Sequence, residues 1–471
     1  MRHLGFIQLR NLAATLAWIA IFCAAVSSAC FAQEPPLDVP IVKRLPARDP
    51  TAVTAGDWLL YPTLRVYSLY SDNLFLAPIN GIASPGIGVT PGLVAVWTNG
   101  IHTTTLYGNL DRQVYPDAND VNTVDGRAGF TQRYEAMRDL SFTADVNYVR
   151  RTWASSLQSA IQVPQTAPTS STLPNGNTVL PNGTIVSPTG QVVGQSTPAV
   201  GSILPLLVDP SNRYTGTFTI EKLFNRGVLT LSGSAARTEY EGQALPNSSS
   251  RTLTERASFW LGPLFYVYSD GVFGTVALDS TPASVSTSTT SHRVVGGLGT
   301  NRIGLFRLSA YYGHQGSDTS SIGGQSTAGG DVFGGRISYE PFRQWTLSGT
   351  VDITNNIASS SAASNLAISL PGVVAVQIPT TASTRIASAS VQSSYEINRQ
   401  WFSSALVSYS RIEYVDGTRL DNAWIFDGTL RYDIRRDTSL TWEYRYTNIQ
   451  SNAPLVGAKS NYVSMGALYR F

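Results

Sequence analysis

Apolar and polar side chains alternate along this sequence with a period of two, over segments longer than an ordinary soluble sheet uses. In 440–447, Leu440, Trp442, Tyr444 and Tyr446 alternate with Thr441, Glu443, Arg445 and Thr447. In 424–434, Trp424, Phe426, Gly428, Leu430, Tyr432 and Ile434 alternate with Asp427, Thr429, Arg431 and Asp433. Segments 124–135 and 140–149 repeat the pattern. A strand turns successive side chains to opposite faces, so each segment has one apolar and one polar wall. In a soluble sandwich the apolar wall is a dry core. In a membrane barrel it faces lipid, and the polar wall faces a wet lumen.

Three features favour the barrel. Segments run to about 10–14 residues, whereas globular strands average about 5–6 and a tilted membrane strand needs about 9–11. Aromatics gather at segment ends (Trp58 and Tyr70, Trp345, Trp401 and Tyr409, Trp424 and Tyr432), where amphipathic rings form girdles at the two lipid–water interfaces. Connections also alternate in length. Short turns are expected around 98–100, 136–138, 225–227, 269–271, 341–343, 398–400 and 435–437. Long ones are expected around 71–85, 116–120, 154–211, 241–250, 280–290, 316–328, 357–383, 415–420 and 449–458. Outer-membrane barrels sort their loops in this way.

The expected fold is therefore all-β, a single transmembrane antiparallel barrel over 57–471. It has about 18 strands, at 57–70, 86–98, 101–115, 121–135, 139–152, 212–224, 228–240, 251–268, 272–279, 291–300, 303–315, 329–340, 344–356, 384–397, 400–413, 421–434, 438–448 and 459–471. Pro263 weakens 251–268 and leaves 16 strands as the alternative. Charged residues are only 14% of the chain, against roughly 25% in soluble proteins. Beyond the N-terminal segment no run approaches ~18 apolar residues, which excludes helical spans.

Residues 1–32 read as a signal peptide: Arg2 and Arg10, an apolar stretch from Leu12 to Val26, then Cys30-Phe31-Ala32 before Gln33. A lipid-anchored Cys30 is the alternative. Both cysteines, Cys23 and Cys30, lie in this segment, so a disulfide framework or thiolate metal site in the rest is excluded. Residues 33–56 form a Pro-rich periplasmic lead-in, too small for a plug domain. At the other end Val463, Met465, Ala467, Tyr469 and Phe471 share one face. This resembles the terminal signal read by the outer-membrane barrel assembly machinery.

Tyr61-Pro62, Leu64-Arg65-Val66 and Tyr70-Ser71-Asp72-Asn73-Leu74-Phe75, with the later Tyr395-Glu396-Ile397-Asn398-Arg399-Gln400-Trp401 and the end Tyr469-Arg470-Phe471, resemble the putative beta-barrel porin family, type 2. The resemblance implies an outer-membrane barrel. In some members it implies an association with exopolysaccharide export.

Motifs for catalysis are thin. Outside the signal peptide the histidines are His102, His292 and His314, and none sits in a nucleophile–base pattern or at metal-ligand spacing. No enzyme activity, cofactor or metal is expected. A formal net charge of +2 with scattered Arg gives no nucleic-acid footprint. Function is expected in the lumen, where the strand phase places Asp125, Arg127, Arg133, Asp145, Glu221, Arg307, Arg336, Asp352, Asp427, Arg431, Asp433, Glu443 and Arg445. Such charges set selectivity on a pore wall or stiffen it through ion pairs. The long loops 154–211 and 357–383 are expected at the cell surface, the first alternatively folded into the lumen. The resulting expectation is an outer-membrane channel for passive diffusion of small polar solutes, with lipid and the assembly machinery as partners. The alternatives are a polysaccharide conduit, which a lumen ladder of aromatics would favour, and a structural or adhesive surface barrel.

Overall fold

The computed structural model describes residues 52–74, 81–117, 122–155, 206–241, 246–280, 286–301, 303–321, 324–342, 344–356, 384–414, 419–452 and 457–471, with the backbone of four short strands between 171 and 195. The expected signal peptide, most of the expected lead-in and most of the two longest expected loops lie outside the described residues.

Eighteen antiparallel strands form one closed barrel. They are β1 (Trp58–Ser71), β2 (Ser84–Thr98), β3 (His102–Val114), β4 (Thr123–Met137), β5 (Leu140–Ser155), β6 (Leu206–Phe224), β7 (Gly227–Tyr240), β8 (Ser248–Trp260), β9 (Phe265–Leu278), β10 (Thr287–Thr300), β11 (Phe306–Ser321), β12 (Gly324–Phe342), β13 (Trp345–Asn356), β14 (Thr384–Glu396), β15 (Trp401–Tyr414), β16 (Leu420–Asp433), β17 (Thr438–Ser451) and β18 (Ala458–Arg470). Each pairs with its sequence neighbours, and β1 pairs with β18 from Thr63↔Arg470 to Ser71↔Tyr462. Closure leaves no open sheet edge, so the backbone groups of the ladder are satisfied within the sheet.

The two faces invert the burial order of a soluble protein. Val146 is 61% exposed, while Asp145 beside it is 3% exposed. Val351 and Val463, likewise on the outside, are 54% and 47% exposed. Only lipid removes such a wall from water. Outward rings form two belts. Toward the short turns lie His102–Tyr134–Phe142–Phe218, Phe306–Tyr339 and Tyr432–Trp401–Trp442. Toward the long loops lie Tyr148–Tyr214 and Tyr409–Trp424. Inside, small apolar clusters occur near the short turns: Tyr61 with Val96, and Val228 with Trp260, Tyr266 and Tyr268.

Several expected boundaries move. The strands expected at 251–268 and 272–279 are instead Ser248–Trp260 and Phe265–Leu278. The turn falls at 261–264, where Gly262 and Pro263 interrupt the ladder. Ser269-Asp270-Gly271, the expected turn, lies inside β9, because Asp270 gains an inward partner in Arg256. The expected loop 316–328 is mostly strand: β11 and β12 pair as far as Ser321↔Gly324. Its small side chains resemble a loop, but a ladder needs only backbone groups. Just before it, Gly313 lies so close to Val294 and Val295 of β10 that a Cβ would meet the Val294 carbonyl oxygen at 2.1 Å. The outward face of this long hairpin turns polar above Phe333, with Asp331, His314 and Asp318. In the expected loop 154–211, β5 extends to Ser155 and β6 starts at Leu206. Between them, strands 171–172, 178–179, 184–186 and 192–195 pair antiparallel, and the near-repeat Leu-Pro-Asn-Gly at 173–176 and 180–183 joins the first three. The lead-in also ends earlier than expected. Val53–Ala55 pairs with Trp58–Leu60 across a turn at Gly56, whose φ is +61°.

That short strand occupies the lane vacated where β18 ends, since the backbone N–H of Phe471 donates to the Pro62 carbonyl at 3.1 Å. At the other end of the same seam, Asp72 accepts the Asn461 backbone N–H and its side-chain amide, both at 2.6 Å. Asn73 donates to the Lys459 carbonyl at 2.9 Å, and Ser460 donates to the Asn73 carbonyl at 3.1 Å. The two bonds to the Asp72 carboxylate are charge-assisted, a kind that contributes about 1.5–3 kcal/mol each. Asp72→Ala is expected to lower the temperature at which the folded barrel loses its compact mobility on a denaturing gel. An unchanged transition would show that the seam does not need this latch.

Candidate functional site: the inner wall

All thirteen charged positions expected in the lumen point inward, because cross-strand partners share a face and the pairs run continuously around the barrel. Asp125, Arg127 and Arg133 on β4 share the inner face with Asp145 on β5 and Glu221 on β6. Arg307, Arg336 and Asp352 follow on β11, β12 and β13. Asp427, Arg431 and Asp433 on β16 face Glu443 and Arg445 on β17.

The structure brings some of these together. Arg445 pairs with Asp427 at 2.7 Å and with Glu443 at 3.2 Å. Arg431 holds Asp433 through two contacts of 2.7 Å, and Arg133 contacts Glu135 at 3.2 Å. Asp145 accepts from Thr131 at 2.7 Å and from Asn147 at 2.9 Å. Others stay apart. Asp125 accepts the Thr152 backbone N–H at 2.6 Å. Arg127 feels the charge of Arg151 and the Tyr107 hydroxyl rather than that of a carboxylate.

Further inward charges were not among the expected set. Arg65 faces Glu443 at 3.9 Å. Asp111 accepts from Tyr67, Thr90 and Gln113 at 2.7–2.8 Å. Arg256 pairs with Asp270 at 3.0 Å. Arg419, which with Asp421 is almost fully buried, contacts that carboxylate at 2.6 Å. The phase of two could have found Arg65 and Asp111. It could not find Asp270 while that residue was assigned to a turn.

A recurring tier builds the wall. Inward tyrosine rings lie flat across a glycine of the next strand: a Cβ on Gly88 would come within 2.1 Å of the Tyr67 ring, and one on Gly297 within 2.2 Å of Tyr268. Tyr107 over Gly129 and Tyr266 over Gly299 are arranged alike. The missing side chain is what lets the ring lie along the wall instead of across the bore. Guanidinium groups then cover the rings, with Arg65 4.6 Å above Tyr67, Arg256 5.5 Å above Tyr268 and Arg293 5.0 Å above Tyr311. Stacking of this kind suits the planar, weakly hydrated guanidinium.

The histidines belong to the outer face. His102 stacks on Tyr134, and the rings of His292 and His314 lie 6.4 Å apart, His314 Nδ1 being 3.3 Å from Asp331. Among the described residues no group of three His, Asp or Glu side chains could hold a metal ion. Val463, Met465, Ala467 and Tyr469 line the outer face of β18, and the Tyr469 and Phe471 rings meet edge to face at 4.6 Å.

Residues 373–471 match the family described as "Putative beta-barrel porin 2". The match takes in β14 to β18. It is the same family that the first strand and the chain end resemble; of the residues carrying that resemblance, Pro62, Asp72-Asn73 and Tyr469-Arg470-Phe471 lie on the closing seam, while Tyr395 to Trp401 lie at the β14–β15 turn. Comparison with curated proteins returns no match. Among solved structures, the ferric citrate transporter FecA is 12% identical with a TM-score of 0.45; the alignment covers 83% of this chain and 60% of that one. The FrpB iron transporter from Neisseria meningitidis (F5-1 variant) is 8% identical, with a TM-score of 0.48 and coverage of 89% and 83%. The outer membrane protein opdK from Pseudomonas aeruginosa is 10% identical, with a TM-score of 0.44 and coverage of 88% and 99%.

The glycine–tyrosine tier makes a specific prediction. Gly297→Val forces the Tyr268 ring off the wall and should destabilise the barrel by about 1–3 kcal/mol, the usual cost of overpacking. Gly296→Val, one residue away on the outer face with open space around it, should change little. Thermal unfolding in detergent followed by circular dichroism compares the two, and equal midpoints would refute the tier.

Proposed function

We propose that this chain is an outer-membrane channel through which small polar solutes diffuse, without catalysis. The observation that carries the reading is the inverted pair of walls, an apolar exterior around an inner face of alternating Arg, carboxylate and hydroxyl groups. Eighteen strands give a bore wide enough for an aqueous path. Inner ion pairs are partly open to the bore, Arg445 being 40% exposed beside Asp427 at 16%. Wet pairs of this kind are worth only about 0–1 kcal/mol each, so a passing solute can exchange hydration for them at little cost. The short-turn end, which carries both described chain ends, is then periplasmic, and the long loops face outward. The outer face of β18 is the surface presented to the assembly machinery.

Inward aromatics are numerous, which would suit a polysaccharide conduit. Yet Tyr67 and Tyr107 are each 5% exposed, between glycine on one side and neighbouring side chains on the other. They offer no open face on which a sugar ring could stack, and that favours small solutes.

Planar-bilayer recording tests the proposal. The refolded protein should give discrete, ohmic conductance steps. A folded, heat-modifiable barrel that inserts and stays electrically silent would overturn it and favour a surface role for the loops.

A further inference from the structure

One row of the inner wall runs across five strands as Asn109 on β3, Arg127 on β4, Val149 on β5, Arg213 on β6 and Thr238 on β7, each directly opposite the next. Two arginines therefore flank one small apolar side chain. Neighbouring strands lie about 4.7–4.9 Å apart, which puts the Cα atoms of Arg127 and Arg213 about 10 Å from each other, a span within reach of two arginine side chains. Arg151 stands two residues beyond Val149 on the same face of β5, opposite Ser211. The three arginines thus form a triangle around Val149. Arg151 and Arg213 are exposed to the bore, and Arg127 is half-buried. Tyr148 and Tyr214, next in sequence to Val149 and Arg213, belong to the outward belt toward the long loops, so the triangle stands at the long-loop end of the bore.

No carboxylate answers these charges. The charge of Arg151 acts on both Arg127 and Arg213, and the other groups that act on those two are the Tyr107 and Tyr240 hydroxyls. Among the described residues none forms an ion pair with any of the three. The carboxylates of the adjoining rows are engaged elsewhere. Asp125 accepts the Thr152 backbone N–H at 2.6 Å, Asp145 accepts from Thr131 and Asn147, and Asp111 accepts from Tyr67, Thr90 and Gln113. The chain that joins β5 to β6 cannot supply another, since residues 152–208 include no charged side chain. One row below the triangle the Tyr107 ring lies over Gly129, and its hydroxyl, buried without a hydrogen-bond partner, is within electrostatic reach of Arg127. This part of the wall holds three guanidinium forks and a spare hydroxyl, with no acceptor to match them.

We propose that Arg127, Arg151 and Arg213 form a capture site for a doubly charged oxyanion, such as a phosphate group, at the long-loop end of the bore. Guanidinium groups present planar N–H forks matched to the oxygens of such an ion. Three like charges around one small side chain repel, and a dianion seated over Val149 offsets that repulsion more than a monoanion does. A phosphate monoester carries about −1.5 to −2 charges at pH 7, whereas a simple carboxylate carries one. This inference rests on the channel reading for its purpose and names a class of solute for it, but binding can be measured without transport.

Inorganic phosphate is the probe, with acetate as a singly charged competitor. In detergent-solubilised protein at low salt, 31P line broadening on titration should report saturable binding, and acetate at equal concentration should leave most of the phosphate bound. Arg127→Gln, Arg151→Gln and Arg213→Gln should each weaken binding about tenfold, the effect of one charge-assisted bond. Because each also relieves repulsion, the thermal midpoint should stay or rise; a lowered midpoint with unchanged binding would mark the arginines as structural and overturn the site. Val149→Asp keeps all three arginines and sets a carboxylate among them, so it should abolish phosphate binding in a barrel that remains folded. Arg251→Gln, on the outer face opposite Ala235, should leave binding unchanged. Absence of saturable binding in the wild type, acetate binding as tightly as phosphate, or wild-type affinity in Val149→Asp each overturns the site. Bilayer conductance measured on the same samples separates the two ideas. Binding without conductance keeps the capture site and removes the channel; conductance without arginine-dependent binding does the reverse.

Discussion

Hydrogen bonding of the backbone is the constraint from which the rest follows. A sheet whose outer surface is apolar cannot leave N–H and C=O groups unpaired along an edge, because lipid offers no substitute partner. Here the edge is removed by joining β1 to β18, and the join is reinforced at both ends. Asp72 and Asn73 hold β18 near the long loops, and near the short turns Pro62 receives the last backbone N–H while Val53–Ala55 fills the lane beyond it. The segments that carry the family resemblance are thus largely segments that close the cylinder. Their chemistry answers a requirement of architecture and says little about cargo.

Once the cylinder is closed, every second residue is committed to the interior, and the interior has its own packing problem. It must stay open enough to be wet while fixing large side chains against the wall. Glycine, tyrosine and arginine solve this in layers. Glycine removes bulk, the ring fills the gap flat, and the guanidinium caps the ring and meets the bore. The glycines within strands, which in another fold would mark a bend or a nucleotide loop, here serve as seats. Tyr67 and Tyr107, almost fully buried, thereby become part of the wall.

The sequence conveyed the architecture through its period of two, because alternation, strand length and aromatic position are all local properties. Strand number and facing followed directly, and the thirteen inward charges could be placed by phase alone. What failed was local as well. Ser269-Asp270-Gly271 has turn composition, yet Asp270 is held in a strand by Arg256, a partner 14 residues away that no window includes. Residues 316–328 have loop composition, yet most of them pair across β11 and β12, because a ladder needs only backbone groups. Which of the inward charges meet was not legible at all. Ion pairs such as Arg445 with Asp427 depend on cross-strand register.

The long hairpin of β11 and β12 has one more implication. Its outer face changes from Phe333 and Tyr312 to Asp331 and His314 one cross-strand pair further along that face, with Asp318 beyond them, so it records the waterline on the barrel's flank. Above that line β11 stays paired with β10 as well as with β12, as far as Thr287↔Ser321, so the sheet itself carries on past the bilayer surface. A graft at its tip, such as a short peptide tag, would be displayed clear of the bilayer surface without disturbing the cylinder beneath.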